Sequence, residues 1–324
     1  MRKSILFFLL LLGSFVVNAQ ITKIKSAKLS PDKKEIAFIC YLGLEEDLFL
    51  YNIEADSLSR LTTSEGLSFE GQYKASLNWL DNSNIIFLSK HTGVVQQYVL
   101  DIQRGNLTSH STSVGDEYSL CYSPKNEETY YISSIKGREP AVFRRGLISY
   151  EPKNITTQNV NYGLLQLSPN YKYLAFSEMP MGNPIIYSLD EARVLKLKLT
   201  KKNVRILSWS LDSNLFLYKN TEFRDDSPIV SLSLYNLDIN KSSILMKNIN
   251  GIFSAILMTD GSKYMYSTKG KSYLVDIESN KIEEFNVKGD LDCWVVNDIS
   301  LLIIDNDKAF IYDILKKDMK NIIN

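Results

Sequence analysis

A polar turn feeding an apolar strand returns along the whole chain. Its first copy is LSPDKKEIAF, Leu29 to Phe38. Later copies are NWLDNSNIIFLS from Asn78, CYSPKNEETYYIS from Cys121, QLSPNYKYLAFS from Gln166, SWSLDSNLFLYK from Ser208, LMTDGSKYMYS from Leu257 and a worn VVNDISLLIID from Val295. The matching turn position falls at Asp32, Asp81, Lys125, Asn170, Asp212, Asp260 and Asp298, with gaps of 49, 44, 45, 42, 48 and 38 residues. Loops that tolerate insertion account for that scatter. Each copy continues into a second apolar strand, a tight turn and a short outer strand, as in DLFLYNIEADSLSRLT from Asp47 and KSYLVDIESNKIEEFN from Lys271.

The chemistry of the unit is local. Pro31, Pro124 and Pro169 fix φ for a turn, and the recurring aspartates can accept backbone N–H groups there. The β-branched and aromatic residues that follow favour a packed sheet. Near-continuous runs such as IIFLS predict burial on both faces, so each unit reads as four antiparallel strands of roughly 4 to 6 residues. One such sheet cannot cover both of its faces, whereas copies stacked around an axis can. The predicted fold is all-β: a seven-bladed β-propeller of four-stranded antiparallel blades. Six blades is the alternative if the worn last copy is incomplete, and a β-sandwich is the competing architecture. LDEARVLKLKL, Leu189 to Leu199, comes closest to a helical pattern. Its place in the repeat instead predicts a turn and an outer strand. The segment ITKIK, Ile21 to Lys25, is expected to add an edge strand to the last blade and so help close the ring.

The N-terminus departs from this pattern. MRKSILFFLLLLGSFVVNAQ has Arg2 and Lys3, an apolar run from Ile5 to Val17, and small Ala19 before Gln20. This predicts a secretory signal peptide over 1–19, cleaved near Ala19, and one propeller domain over 20–324, periplasmic or secreted. A retained anchor is the alternative, but the run is short for a span. Basic and acidic residues number 37 each, which excludes a broad nucleic-acid footprint. Cys40, Cys121 and Cys293 lie beside strand-like residues and are expected to be buried thiols, with no dense disulfide framework and no cysteine-based metal spacing.

The repeat, LSPDKKEIAF followed by LFLYNIEADSLSRLT, resembles the TolB-like, PD40-type (WD40-like) β-propeller family. It also resembles the propeller portion of prolyl oligopeptidase-type peptidases. Asp81, Pro124 with Asn126, Pro169, Asp212 and Asp260–Gly261 keep parts of the turn motif, and Asn297 and Asp298 depart from it. The resemblance implies a periplasmic binding or scaffold protein or a substrate-gating domain. The peptidase branch needs a hydrolase domain with a G-x-S-x-G turn, and the chain has none. Some TolB-like propellers are similar to oligogalacturonate lyases, whose metal site is rich in histidine. Here the histidines are His91 and His110.

In a propeller, the loops after the second strand of each blade and the loops between blades share one face around the channel mouth. The candidate ligand-binding residues there are Phe69, Glu70 and Tyr73 in SEGLSFEGQYK, His91 in LSKHTG, Arg138 and Glu139 in SIKGREP, and Phe223, Arg224 and Asp225 in KNTEFRDDSP. Each also has a plain structural reading: Arg224 pairing with Asp225, Phe69 and Phe223 capping the ring core, His91 as an ordinary loop residue. No catalytic set, metal site or cofactor is expected. The leading expectation is an exported, non-catalytic binding or scaffold module for a protein or peptide partner in the cell envelope. A polysaccharide-directed lyase or hydrolase with a channel site is one alternative. A glycan-binding module without turnover, stacking sugar on Phe69, Tyr73 and Phe223, is another. The chain is thus expected not to be an enzyme, not to bind nucleic acid and not to retain a membrane span.

Overall fold

The computed structural model describes residues 20–62, 77–90, 93–111, 115–134, 139–149, 151–156, 159–161, 165–177, 184–199, 203–224, 227–249, 254–268, 271–285, 291–297 and 300–323. Their strands form seven four-stranded sheets, each built from strands consecutive in the chain. All neighbouring strands within a sheet are antiparallel, as in the pairing of Lys23–Leu29 with Glu35–Leu42. The blades span 23–60, 77–109, 117–154, 166–195, 204–249, 254–285 and 291–323, numbered 1 to 7 below. The worn last copy is a complete blade, so the six-bladed alternative falls.

The recurring motif is the turn between the first and second strands. In blade 1 the Ser30 hydroxyl donates to Asp32 Oδ1 (2.7 Å), which also accepts Lys34 N–H (3.2 Å), while Glu35 N–H donates to Ser30 Oγ (3.0 Å). Ser168 with Asn170 and Ser210 with Asp212 repeat the arrangement. The residue after the carboxylate or amide takes a positive φ at Lys33, Tyr171, Ser213 and Gly261. Only the last is glycine: a Cβ on Gly261 would meet Leu215 Cδ1 of blade 5 at 2.8 Å, so that side chain would have to shift. These turns also touch round the ring. Asp32 N–H donates to Asn82 Oδ1 (3.2 Å), Asn170 N–H to Ser213 Oγ (3.0 Å) and Leu211 N–H to Thr259 O (3.0 Å). A second recurring turn follows the third strand. There Asn52, Asp101, Asn236, Asp276 and Asp313 accept backbone N–H groups.

Between blades lie apolar clusters, one for each of the seven junctions. Blades 1 and 2 meet through Ala37, Ile39, Leu48, Trp79, Ile85 and Phe87. Blades 7 and 1 meet through Ile24, Ile36, Phe38, Leu302, Ile304 and Ile322. This last junction differs from the sequence expectation for 21–25. Lys23–Leu29 is the innermost strand of blade 1, and among the described residues no strand is exchanged between the first and last blades. The ring closes instead by apolar packing, by Ile24 N–H donating to Asn306 O (2.7 Å), and by Lys320 on Asp56 (2.9 Å). The 189–199 segment is a turn, a strand over Arg193–Leu195 and then alternating half-buried and exposed positions, as its place in the repeat predicts. Cys40 and Cys121 are free and buried. Burial pushes both thiols up, Cys121 to about 11.

The turns after the first and third strands define the lower face. The hairpins after the second strands and the connections between blades define the upper face and the channel mouth. Trp79 is 6% exposed in the blade 1–blade 2 cluster and its Nε1–H donates to Lys28 O (2.9 Å), whereas Phe223 is 66% exposed. Trp79→Ala is therefore expected to destabilise the protein by about 3–5 kcal/mol, and Phe223→Ala by no more than about 0.5 kcal/mol. Urea unfolding of the two variants tests this; comparable losses would contradict it.

Candidate functional site

Of the sequence candidates, Phe69, Glu70, Tyr73, His91, Arg138 and Asp225 lie outside the described residues. Glu139 is exposed on the upper face. Phe223 and Arg224 end the second strand of blade 5, Leu215–Arg224. That strand and its partner, Ser227–Asn236, have 10 residues each. Their first-strand neighbour, Val204–Trp209, reaches only as far as the Val204–Asn220 pair. The tip of the hairpin, with Phe223, therefore stands above the inner rim.

Just below the tip are two residues that loop-based reasoning missed. Arg205 and Lys219 are direct partners across the first and second strands of blade 5, so their side chains share a face. Lys219, Thr221 and Phe223 follow at period two on that face, above Leu217, which packs toward blade 6. Burial lowers the Lys219 pKa, and the neighbouring Arg205 lowers it further. Arg205 also borders a shallow surface notch with Gln166, Phe176, Ser177, Pro184 and Val204, too small to enclose a ligand. A third cation, Lys28, sits low on the innermost strand of blade 1. It is exposed to solvent yet ringed by protein, as a residue on a channel wall is. This crowding lowers its pKa, and Cys121 of blade 3 acts on it in the opposite sense.

A second polar feature lies buried between blades 2 and 3 at their upper ends. Arg145 Nη2 donates to Glu117 Oε1 (2.9 Å), and both side chains are fully buried. Arg145 Nη1 donates to His110 O (3.4 Å), and its guanidinium lies 4.7 Å from the Tyr131 ring centre. Ser111 Oγ donates to the same Glu117 oxygen (2.8 Å). From blade 2, Gln97 and His110 face this pair, tied by His110 N–H donating to Gln97 O (2.8 Å). The same backbone bond joins Leu61 to Leu48 in blade 1 and Ile155 to Val142 in blade 3. Blade 2 thus carries glutamine and histidine where its neighbours carry aliphatic side chains. Aligning LT at 61–62, HS at 110–111 and IT at 155–156 exposes this in the sequence.

No family model matches the chain, and no curated protein matches it. Solved structures do. An oligogalacturonate lyase in complex with manganese matches with a TM-score of 0.65 at 10% identity, covering 88% of this chain and 86% of that one. Hydrazine synthase of Kuenenia stuttgartiensis matches at 0.64 and 12% identity, covering 94% and 96%. TolB from Acinetobacter baumannii matches at 0.53 and 15%, covering 78% and 63%. At such identities the likeness shows the propeller fold and no narrower repeat family. It does overturn the expectation that the chain is not an enzyme. That expectation leaned on the missing G-x-S-x-G and on two histidines being too few for a metal site, and the catalysts match with higher TM-scores than TolB does. Among the described residues, no group of three or more His, Cys, Asp or Glu side chains could hold a metal. The described residues do not fit a manganese site. No described helix is long and apolar enough to cross a membrane.

The buried pair sets a stability test. Arg145→Met leaves the Glu117 carboxylate without its cation in a dry interface, and is expected to cost about 3–5 kcal/mol. Adding Glu117→Leu should recover most of that loss. Chemical denaturation of the single and double variants reads it directly; a double variant as weak as the single one would contradict the assignment.

Proposed function

We propose that this chain is an exported propeller enzyme acting as a lyase or hydrolase on an acidic polysaccharide or oligosaccharide at the upper mouth of its channel. The observation that carries the reading is the Arg205–Lys219 pair. Exposed Arg205 and half-buried Lys219 place two like charges side by side, and an anionic group bound across them would be attracted by both. A guanidinium suits a sugar carboxylate, which it can hold through two parallel hydrogen bonds. A lysine whose pKa is lowered by burial has more of the neutral amine needed to take a proton during bond cleavage. Phe223 above them offers an apolar face for a sugar ring, and its high exposure leaves that face open. The likeness to a lyase named for oligogalacturonate supports the choice of an acidic glycan.

The test is turnover of polygalacturonate and a neutral polysaccharide by the purified full chain, followed by ultraviolet absorbance for unsaturated ends and by reducing-end release. Turnover is expected on the acidic polymer. Lys219→Ala is expected to lower kcat about 10²-fold or more, and Arg205→Ala to act mainly on KM. Absence of both turnover and binding with acidic glycans would sink the reading. Binding without turnover would leave the glycan-capture alternative.

A further inference from the structure

We infer that the junction between blades 2 and 3 is an acid-responsive latch beneath the channel mouth, with His110 as its trigger. The side chain is buried, and the charges that act on it are Arg145 and Glu117 of blade 3, while its backbone carbonyl accepts Arg145 Nη1 and its backbone N–H donates to Gln97 O. With His110 neutral, the buried interface holds one cation, Arg145, and one anion, Glu117. A proton on His110 adds a second positive charge to a site that excludes water, which is costly unless the side chain moves out. Burial and then Arg145 lower the His110 pKa, while Glu117 opposes them more weakly.

The interface has little slack with which to absorb a new charge. Both amide atoms of Gln97, the Tyr131 hydroxyl and Arg145 Nε are buried without a protein hydrogen-bond partner. A polar network satisfied only in part is the kind that rearranges when one member changes charge.

The same side chains tether the connection from blade 2 to blade 3. Arg145 holds the His110 carbonyl, and Glu117 holds Ser111. Asp116 accepts Val95 N–H (2.8 Å), and its carbonyl accepts the Ser133 hydroxyl (2.9 Å). Displacing His110 therefore loosens the tethered residues His110, Ser111, Asp116 and Glu117. The direction follows from linkage. His110 binds its proton more readily unfolded than folded, so its contribution to stability is full above the ordinary histidine range. It is lost as pH falls through that range towards the lowered folded value. This latch does not depend on the enzymatic reading, because it is read by titration and not by turnover.

The experiment is an NMR titration of the imidazoles in the full chain, with hydrogen exchange of residues 110–117 measured over the same pH range. The chain has two histidines, and His91→Gln assigns the signals. His110 is expected to titrate below a free histidine. The folding equilibrium should weaken by about tenfold for each unit of that difference, with exchange at 110–117 rising in step. His110→Gln should remove the pH-dependent rise and match the wild type at neutral pH. Should that variant fold poorly, His110→Leu, which copies Leu61 at the same register, serves instead. A midpoint at or above that of a free histidine would overturn the latch. So would an acid-induced rise in exchange that survives both substitutions.

Discussion

Every part of this molecule depends on one requirement: each blade must cover two apolar faces and can cover neither alone. The seven inter-blade clusters are the solution, and they form a closed cycle. Closure by a shared strand is absent from the described sheets, so the blade 7–blade 1 junction rests on the same side-chain burial as the other six. Residues such as Ile24 and Leu302 therefore stand in for covalent continuity. The polar turns of the lower face follow from the same need. They reverse the chain between strands, and their contacts with the next turn fix the angle at which neighbours meet.

Against that background, polar side chains inside a junction carry information. Burying Gln97, His110, Glu117 and Arg145 gives up apolar contact and desolvates charge. Leu48 and Leu61 in blade 1 show that aliphatic residues fill the equivalent place. Packing alone thus gives no reason for the substitution. What the polar set adds is a connection between the ring core and the upper loops, through Ser111 and the His110 carbonyl, that aliphatic contacts cannot supply.

The fold was legible because its cause is local and repeated. Asp32, Asn170 and Asp212 sit where a turn must accept N–H groups, and runs such as IIFLS report burial on both faces. Closure was not legible, since Ile21 to Lys25 could serve blade 1 or blade 7 equally by composition; the pairing of Lys23 with Tyr41 and Ile24 with Cys40 decides for blade 1. The candidate site was read less well. A search of long upper-face loops finds Phe223 and Glu139, but Arg205 and Lys219 are fourteen residues apart in ordinary strands and meet only through register. The blade 2–blade 3 cluster is likewise a product of registers across two sheets. Each of its residues alone reads as an unremarkable strand or loop position.

The fold also teaches how little architecture says about chemistry. Propellers near this one include two kinds of catalyst and a TolB, at identities of 10 to 15%. At that distance no neighbour's residues can be carried over, so any activity must come from this chain's own side chains. The scaffold limits where they can act. Buried faces are committed to neighbouring blades, and the lower turns to each other. What is left is the upper rim and the channel wall, where Lys28, Arg205 and Lys219 hold positive charge in crowded, partly wet places. The whole sequence is balanced in charge, and cleavage of 1–19 would remove Arg2 and Lys3, so net charge does not draw an anion in. Local placement of a few cations at the rim is then the means by which such a propeller can select one.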